Sequence, residues 1–495
     1  MLLRFPAIEP TPACTIGLSC GSRPFPKEPT NANSMRIPVR KGGLMSFLFT
    51  LAAISSLGAV AQQPPAPAQQ PLNLDMASVA NLARTKSWTA KQAHQDALTA
   101  ASDARRVASA RWGRVDFQSQ YLRFNGPIQI ESPIPSDLQP VLGLKSLTTP
   151  LAPQDNLHVD LEAGYPLFTG GKINNAIKAT REVSHATAEA AHDTDDDVIL
   201  KAEQNYLSVL LARQVVDLNV IALKSYNEHL DHAQTSFRLG TAAKYDVIRA
   251  EAAVAEQEKR LTEARNQLDL AEAALRTSLA LEESAPIDIG GNLFEIADAV
   301  DLNASMDAAV HSSPLLQALR DKVAAYHDGV RVQKADYLPQ VTAISGKALV
   351  TSKLAQTDPT WFAGAHASLQ LWDGGERRAR VSEARSQLQS AEFEYHHAEE
   401  QVRLAVRNAY LDLQSQRTEL VSAHKAAERS GESLRLANER FKVGTGTSLE
   451  VLDANVSLTE SQTGIQQALY QIDLAYLRLH RYQGDIAEVA ARIQK

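Results

Sequence analysis

The chain contains one unit twice. Gly170-Gly171 and Gly374-Gly375 lie 204 positions apart, Tyr206-Leu207 and Tyr410-Leu411 keep the same 204, and so do Phe237, Gly240 and Thr241 with Phe441, Gly444 and Thr445. One unbroken offset over about a hundred residues means two copies of one supersecondary unit. Upstream the offset becomes 226, because Trp112-Gly113-Arg114-Val115 aligns with Leu338-Pro339-Gln340-Val341; the first copy therefore carries 22 additional residues between those points. Whatever fold the chain adopts must be built twice, with one enlarged loop.

Within each copy the hydrophobic period changes in a fixed order. Residues 75–110 and 305–335 are Ala-rich and read as helical, interrupted only near Pro314 and Gly329. Period two follows. Leu157, Val159, Leu161, Ala163, Tyr165 and Leu167 share one face against His158, Asp160, Glu162 and Gly164; in the second copy Trp361, Ala363, Ala365, Ala367, Leu369 and Leu371 oppose Phe362, Gly364, His366, Ser368 and Gln370. Alternation of this length matches a tilted strand crossing a bilayer. Strands are expected at about 115–125, 156–167, 341–350 and 360–371, with the long loop near 125–156 holding the extra residues.

After each Gly-Gly pair the period becomes seven. Val209, Val216, Leu223, Leu230 and Phe237 are matched by Leu413, Leu420, Ala427, Leu434 and Phe441. Beyond a short Gly-containing turn the sevens resume as Val247, Val254, Leu261, Leu268 and Leu275, and as Val451, Leu458, Ile465, Ile472 and Leu479, beside a seam of Ala250, Ala264 and Ala271 or Ala454, Ala468 and Ala475. Sustained sevens with a small-residue seam mean coiled-coil packing, and the short turn makes the two arms antiparallel. The arms are expected at 172–237 and 246–281, then at 376–441 and 450–482. At 1.5 Å per residue the first would be roughly 100 Å long.

The N-terminal region sets the compartment. Arg36, Arg40 and Lys41 precede the apolar run 44–58, and Ala59-Val60-Ala61 follows, which is the layout of a secretory signal peptide at 35–61. Residues 1–34 then read as an upstream extension, with Met35 the expected start, and 62–73 as a Pro/Gln-rich flexible leader. Both cysteines, Cys14 and Cys20, precede the cleavage point, so disulfide and thiolate chemistry is excluded from the mature chain. Processing leaves 44 basic and 55 acidic residues, a net charge of −11, which argues against nucleic acid as a partner. Residues 74–281 form the first repeat and 304–484 the second, joined by a linker at 282–303 and followed by a tail at 485–495.

Four membrane-length strands cannot close a barrel alone, and an open sheet edge is not tolerated in lipid. Copies of the chain must pool their strands, with polar positions facing a water-filled lumen and the helical arms prolonging the bore. The expected fold is therefore mainly α with a transmembrane β-barrel. It is built from a duplicated helix, strand-hairpin and long helical hairpin, with four strands per chain.

With Tyr165-Pro166-Leu167-Phe168-Thr169-Gly170-Gly171, Leu369-Gln370-Leu371-Trp372-Asp373-Gly374-Gly375, and the arm-end runs 237–247 and 441–454, residues 74–484 resemble the TolC-like outer-membrane efflux proteins. The resemblance implies a homotrimer with one 12-stranded barrel set in outer-membrane lipid above a tapering α-helical periplasmic tunnel. It also implies a periplasmic adaptor and an inner-membrane pump or ABC exporter as partners. Trp112-Gly113-Arg114 departs from the usual strand entry, and Arg249 stands where the second copy has Asp453. A duct for secreted protein and, from another class, a soluble periplasmic coiled-coil scaffold are the alternative readings.

Candidate sites follow the same duplication. Gly240 and Gly444 supply helix C-termini. By resemblance, Arg238, Gly240, Thr241 and Lys244 with Lys442, Gly444, Thr445 and Ser448 form adaptor-facing tips. Asp246, Glu450 and Asp453 begin the returning helices, where carboxylates complement the macrodipole and Thr447 with Glu450 makes a capping box. The resemblance adds a second reading, a carboxylate ring that constricts the closed end of the channel. Gly170, Gly171, Gly374 and Gly375 mark the barrel-to-helix turns. Residues 193–197 read as a solvated charge run. His229 and His232 lack the further ligands of a tetrahedral metal site. Gly444–Ser448 lacks the Lys of a phosphate loop, and no nucleophile–base pair can be assembled. No enzyme, cofactor or metal is expected.

Overall fold

The computed structural model describes residues 72–152, 154–293, 300–352, 355–356 and 360–492. The expected signal at 35–61, the extension before it, most of the leader at 62–73 and part of the 282–303 segment lie outside the described residues.

The first copy runs β1 (Leu72–Leu74), α1 (Met76–Lys86), α2 (Trp88–Ser109), β2 (Arg114–Arg123), β3 (Ile128–Pro133), α3 (Gln139–Leu142), β4 (Ser146–Ala152), β5 (Asp155–Phe168), α4 (Lys172–Arg238) and α5 (Lys244–Ser278). After β6 (Ile287–Ile289) the second copy runs α6 (Leu302–Ser312), α7 (Pro314–Ala335), β7 (Gln340–Ser352), β8 (Ala355–Gln356), β9 (Thr360–Ser368), α8 (Glu376–Lys442) and α9 (Ser448–Gln483), and α10 (Ile486–Arg492) follows. In both copies the entry helix breaks at a serine, Ser87 or Ser313, with Pro314 opening α7 at the position where proline is tolerated.

The strands β2, β5, β7 and β9 form one antiparallel sheet in that order, with β8 beside β7. Val115, Phe117 and Tyr121 pair with Ala163, Leu161 and Leu157, while Asp116, Gln118 and Gln120 pair with Glu162, Asp160 and His158. One face is thus mainly apolar, with Ser119 and Ser345 on it, and the other mainly polar. Lys347 interrupts the apolar face between Leu161 and Trp361. Neither β2 nor β9 has a partner on its outer edge among the described residues.

Three expectations need correction. Alternation carries the fourth strand to residue 371, but its last pair is Gln340 with Ser368. Pro339, with no N–H to donate, precedes Gln340, so the apolar alternation of Leu369 and Leu371 continues past the ladder. The segment 125–156 is not a plain loop, since β3 and β4 form a separate antiparallel hairpin crossed by the turn α3. The expected tail at 485–495 begins with α10, whose Ile486 and Val489 are fully buried.

Below the sheet, α4 and α8 each span 67 residues, roughly 100 Å at the helical rise. The seven-residue seams of these helices and of the returning helices α5 and α9 pack inward at Val209, Leu413, Leu275, Val451, Ile472 and Leu479, which are fully or almost fully buried. Val216, Leu223 and Leu230 of α4 are half-buried, and Phe237 at its end is exposed. Around the middle of α4 a belt of Leu74, Met76, Val79, Ile199, Tyr206, Leu207, Leu279, Leu477 and Ile486 forms the largest core. Here β1 lies parallel to β6, joining the start of the first repeat to the segment between the repeats.

Candidate functional site: the hairpin tips and their anchors

Both long hairpins reverse in the same way. At the first tip Gly240 takes φ +74°, and the N–H groups of Thr241 and Ala242 donate to Ser236 O at 2.9 and 3.3 Å. At the second, Gly444 takes φ +76°, and Thr445 and Gly446 donate to Arg440 O, both at 2.9 Å. Gly is needed at 240 and 444 because a side chain is strained in the left-handed region. Gly446 is needed for a different reason: a Cβ there would lie 2.9 Å from Arg440 Cβ. Ala242 stands at the matching place of the first tip, where the bond is longer.

The tip carboxylates are not equivalent. Asp246 Oδ2 accepts from Ala243 N–H at 3.2 Å, which caps its own helix. Glu450 receives Arg440 Nη1 at 3.0 Å, while a second nitrogen of Arg440 donates to Thr445 O. Thr447 Oγ1 accepts from Glu450 N–H at 3.3 Å, so only half of the expected capping box forms; the glutamate side chain turns to Arg440 instead. Asp453 is exposed, and among the described residues no ion pair forms at its carboxylate. Arg440 has no counterpart in copy one, where the aligned residue is Ser236.

Of the expected tip residues, Arg238, Gly240, Thr241, Lys244, Lys442, Gly444 and Thr445 are exposed. Ser448 is not: it is 1% exposed, with Oγ 2.8 Å from His229 Nε2. Ser448 is the first residue of α9, and packing that helix start against α4 hides it. His229 is itself 2% exposed, its ring lies 4.9 Å from that of Phe441, and its Nδ1 has no hydrogen-bond partner among the described residues. Burial, and secondarily His232, push its pKa down to about 4 against the pull of Asp246. The N-terminal dipole of α9 acts in the same sense as burial. One turn away Ser225 Oγ donates to Asn455 Oδ1 at 2.6 Å, and Ala222, Tyr226, Val254 and Leu452 close an apolar cluster. The two hairpins are thus joined just inside their tips. This junction escaped sequence reasoning because its partners are about 220 residues apart; the only local signal was an apolar-spaced histidine.

The opposite ends of the arms are anchored by the paired glycines. Gly170, Gly171, Gly374 and Gly375 all have positive φ, and a Cβ on Gly170 would lie 2.7 Å from Leu338 Cβ. Asp336 at the end of α7 accepts from Lys172 Nζ at 2.7 Å and lies 3.8 Å from Arg380, so one carboxylate ties both turns. Asp373, paired with Arg377 at 2.5 Å, has its carboxyl held below the usual range by that bond.

The run 193–197 does not form a plain solvated face. Arg481 near the end of α9 reaches Asp193 and Asp197, each at 2.8 Å, and buried Asp195 meets His94 of α2 at 3.1 Å. Burial raises Asp196 to about 6. Further along α4, Glu203 is fully buried with neither carboxyl oxygen hydrogen-bonded among the described residues, and burial lifts its pKa well above the carboxylate range.

Membrane-length amphipathic strands, continuous with helical hairpins whose longer arms reach roughly 100 Å, are the parts of an outer-membrane channel protein. The family model for outer membrane efflux protein matches residues 144–281 and 306–485, and the chain belongs to that family. Its place is the outer membrane, with the helical part in the periplasm. It is 25% identical over 325 residues to the outer membrane efflux protein BepC of Brucella suis, covering 64% of this chain and 70% of BepC. It is 24% identical over 311 residues to the alkaline protease secretion protein AprF of Pseudomonas aeruginosa, covering 61% and 64%. Against the outer membrane protein TolC of Escherichia coli it is 24% identical over 326 residues, covering 62% and 66%. The matches thus span about two thirds of these relatives. The fold is that of the outer-membrane channel OprN (TM-score 0.69, 18% identity, 83% and 89% covered) and of VceC from Vibrio cholerae (TM-score 0.69, 18% identity, 82% and 96% covered).

Proposed function

We propose that three copies of this chain close one 12-stranded barrel and form the exit duct of a tripartite efflux system. Small molecules would pass through it without chemistry, driven by an inner-membrane transporter. The observation that carries this reading is the four-strand sheet with two unpartnered edges, β2 and β9. An open edge is not viable in lipid, and four strands are too few to close. Joining β9 of one copy to β2 of the next satisfies both edges at once and sets the helical hairpins side by side as a tube.

In this reading residues 35–61 direct export, and the exposed tip residues 238–244 and 442–445 meet the periplasmic adaptor. Asp246, Glu450 and Asp453 ring the narrow end, with Asp453 the least compensated of the three. Similarity to a protein named for protease secretion supports a second reading, a duct for exported protein. The duct and the scaffold alternative separate in one experiment. Expressed with its own signal and extracted from outer membranes, the chain should have the native mass of three copies and conduct ions in a planar bilayer. A water-soluble monomer or dimer would overturn the reading.

A further inference from the structure

The hairpin β3–β4 presents a largely apolar face that none of the described residues covers. In its register Ile128 and Ile130 share a face with Leu147, Ser132 and Thr149, a face more apolar than the other, which holds Gln129, Glu131 and Thr148. All of these are exposed, and the turn between the strands adds Leu138, Val141, Leu142 and Leu144, with Val141 80% exposed. The hairpin pairs with no strand of the main sheet. A lone two-stranded hairpin is marginal in water, and a contiguous apolar patch of this kind marks an interaction surface.

Position and charge select the occupant. The hairpin rises from the connection between β2 and β5, so it stands beside the β2 edge where copies join. Its base lies beyond the Arg123–Asp155 pair and the Tyr121 hydroxyl bonded to Asp155, which place charge at the outer lip of the strands. Between residues 124 and 154 the charges are Glu131, Asp137 and Lys145, a net −1 that is poorly matched to an anionic lipid surface. Length agrees with a third partner. Six residues of β3 extend roughly 20 Å, whereas a 12-stranded barrel at ordinary strand spacing and tilt has a radius of roughly 12 Å. Laid across the mouth, a hairpin of this length would reach the barrel axis. Among the described residues the second repeat has no counterpart, so each copy contributes one.

We propose that the β3–β4 hairpins of three copies pack their apolar faces on one another and form a cap over the outer mouth of the channel. The cap rests on the trimeric barrel proposed above. A second constriction at the outer end would make the duct gated twice, once at the hairpin tips and once outside the cell.

The test uses the full chain with Cys14 and Cys20 replaced by serine, which removes both native cysteines. Val141→Cys and Leu142→Cys, exposed in the turn between the strands, should give covalent dimers on oxidation or with a short bis-maleimide in whole cells. Glu131→Cys, on the polar side, should give at least tenfold less. Native mass spectrometry of the same samples reads the trimer separately. A trimer in which Val141→Cys and Leu142→Cys remain monomeric on denaturing gels overturns the cap and leaves the duct standing. A trimer without cross-links, in which both positions are shielded from a water-soluble maleimide until the membrane is dissolved, assigns the face to lipid and also overturns it. A monomer overturns both readings.

Discussion

Acidification should loosen the junction between the two hairpins through His229. The imidazole is buried, its Nδ1 is unpartnered, and the N-terminus of α9 meets it end-on at Ser448. Protonation would place a cation with an unsatisfied N–H at the positive end of a helix, opposed only by Asp246 of α5. The other titratable group acting on it is His232 on α4, which repels it. A folded-state pKa of about 4 against the ordinary 6.5 corresponds to roughly 3 kcal/mol. Because the folded form prefers neutral histidine, this contribution is complete above pH 6.5, erodes as pH falls towards 4, and is spent below that. Asp196 and Glu203 have raised pKa values and act in the opposite direction, losing their contribution as pH rises. A raw melting curve would mix the two, so the informative quantity is a difference. Amide exchange at residues 225–235 and 445–455, corrected for intrinsic rate, should show protection in the wild type falling about 100-fold more than in His229→Gln between pH 7 and 4. Parallel pH profiles for the two proteins would refute the assignment of the junction to His229.

Glu203→Gln should leave assembly intact and raise stability above pH 7 by about 1–2 kcal/mol, since an amide carries no ionisation cost in that site; a lower melting temperature at pH 8 would contradict this. Gly170→Ala should cost about 2–3 kcal/mol, because it meets both a positive φ and Leu338, whereas Gly240→Ala, with positive φ and open space, should cost about 1; denaturant midpoints compare them. Asp453→Asn should lower cation selectivity in bilayer recordings more than Glu450→Gln, whose charge Arg440 already offsets; equal effects would remove the proposed ranking of the ring.

The elements that a single chain segment dictates are legible in its residues alone. Sevens such as Val247, Val254, Leu261, Leu268 and Leu275 force a helix to present one seam, and along α5 that seam is buried at Val254, Leu261 and Leu275 and half-buried at Val247 and Leu268. Alternation in β5 fixes which side chains share a face. What stays hidden in the sequence depends on partners distant along the chain. Leu369 and Leu371 alternate like strand residues but lie past Pro339, where the neighbouring ladder stops. Ser448 reads as a tip residue by position, yet α4 covers it. The aspartates at 193–197 read as solvated because Arg481, almost 290 positions away, cannot be assigned to them from spacing. The β3–β4 hairpin is obscured by Pro133, Pro135 and Pro140, which mask the period of its flanks.

The two edges of the β2–β9 sheet, unpaired among the described residues, also carry a genetic consequence. In the proposed ring of three, a variant altered at either edge would spoil the seam with a neighbour as well as its own. In a cell making equal amounts of normal and edge-defective chains, a ring of three would be wholly normal in only about one case in eight. Lesions in β2 or β9 should therefore behave as dominant, whereas lesions that merely unfold the chain before it meets its neighbours should be recessive.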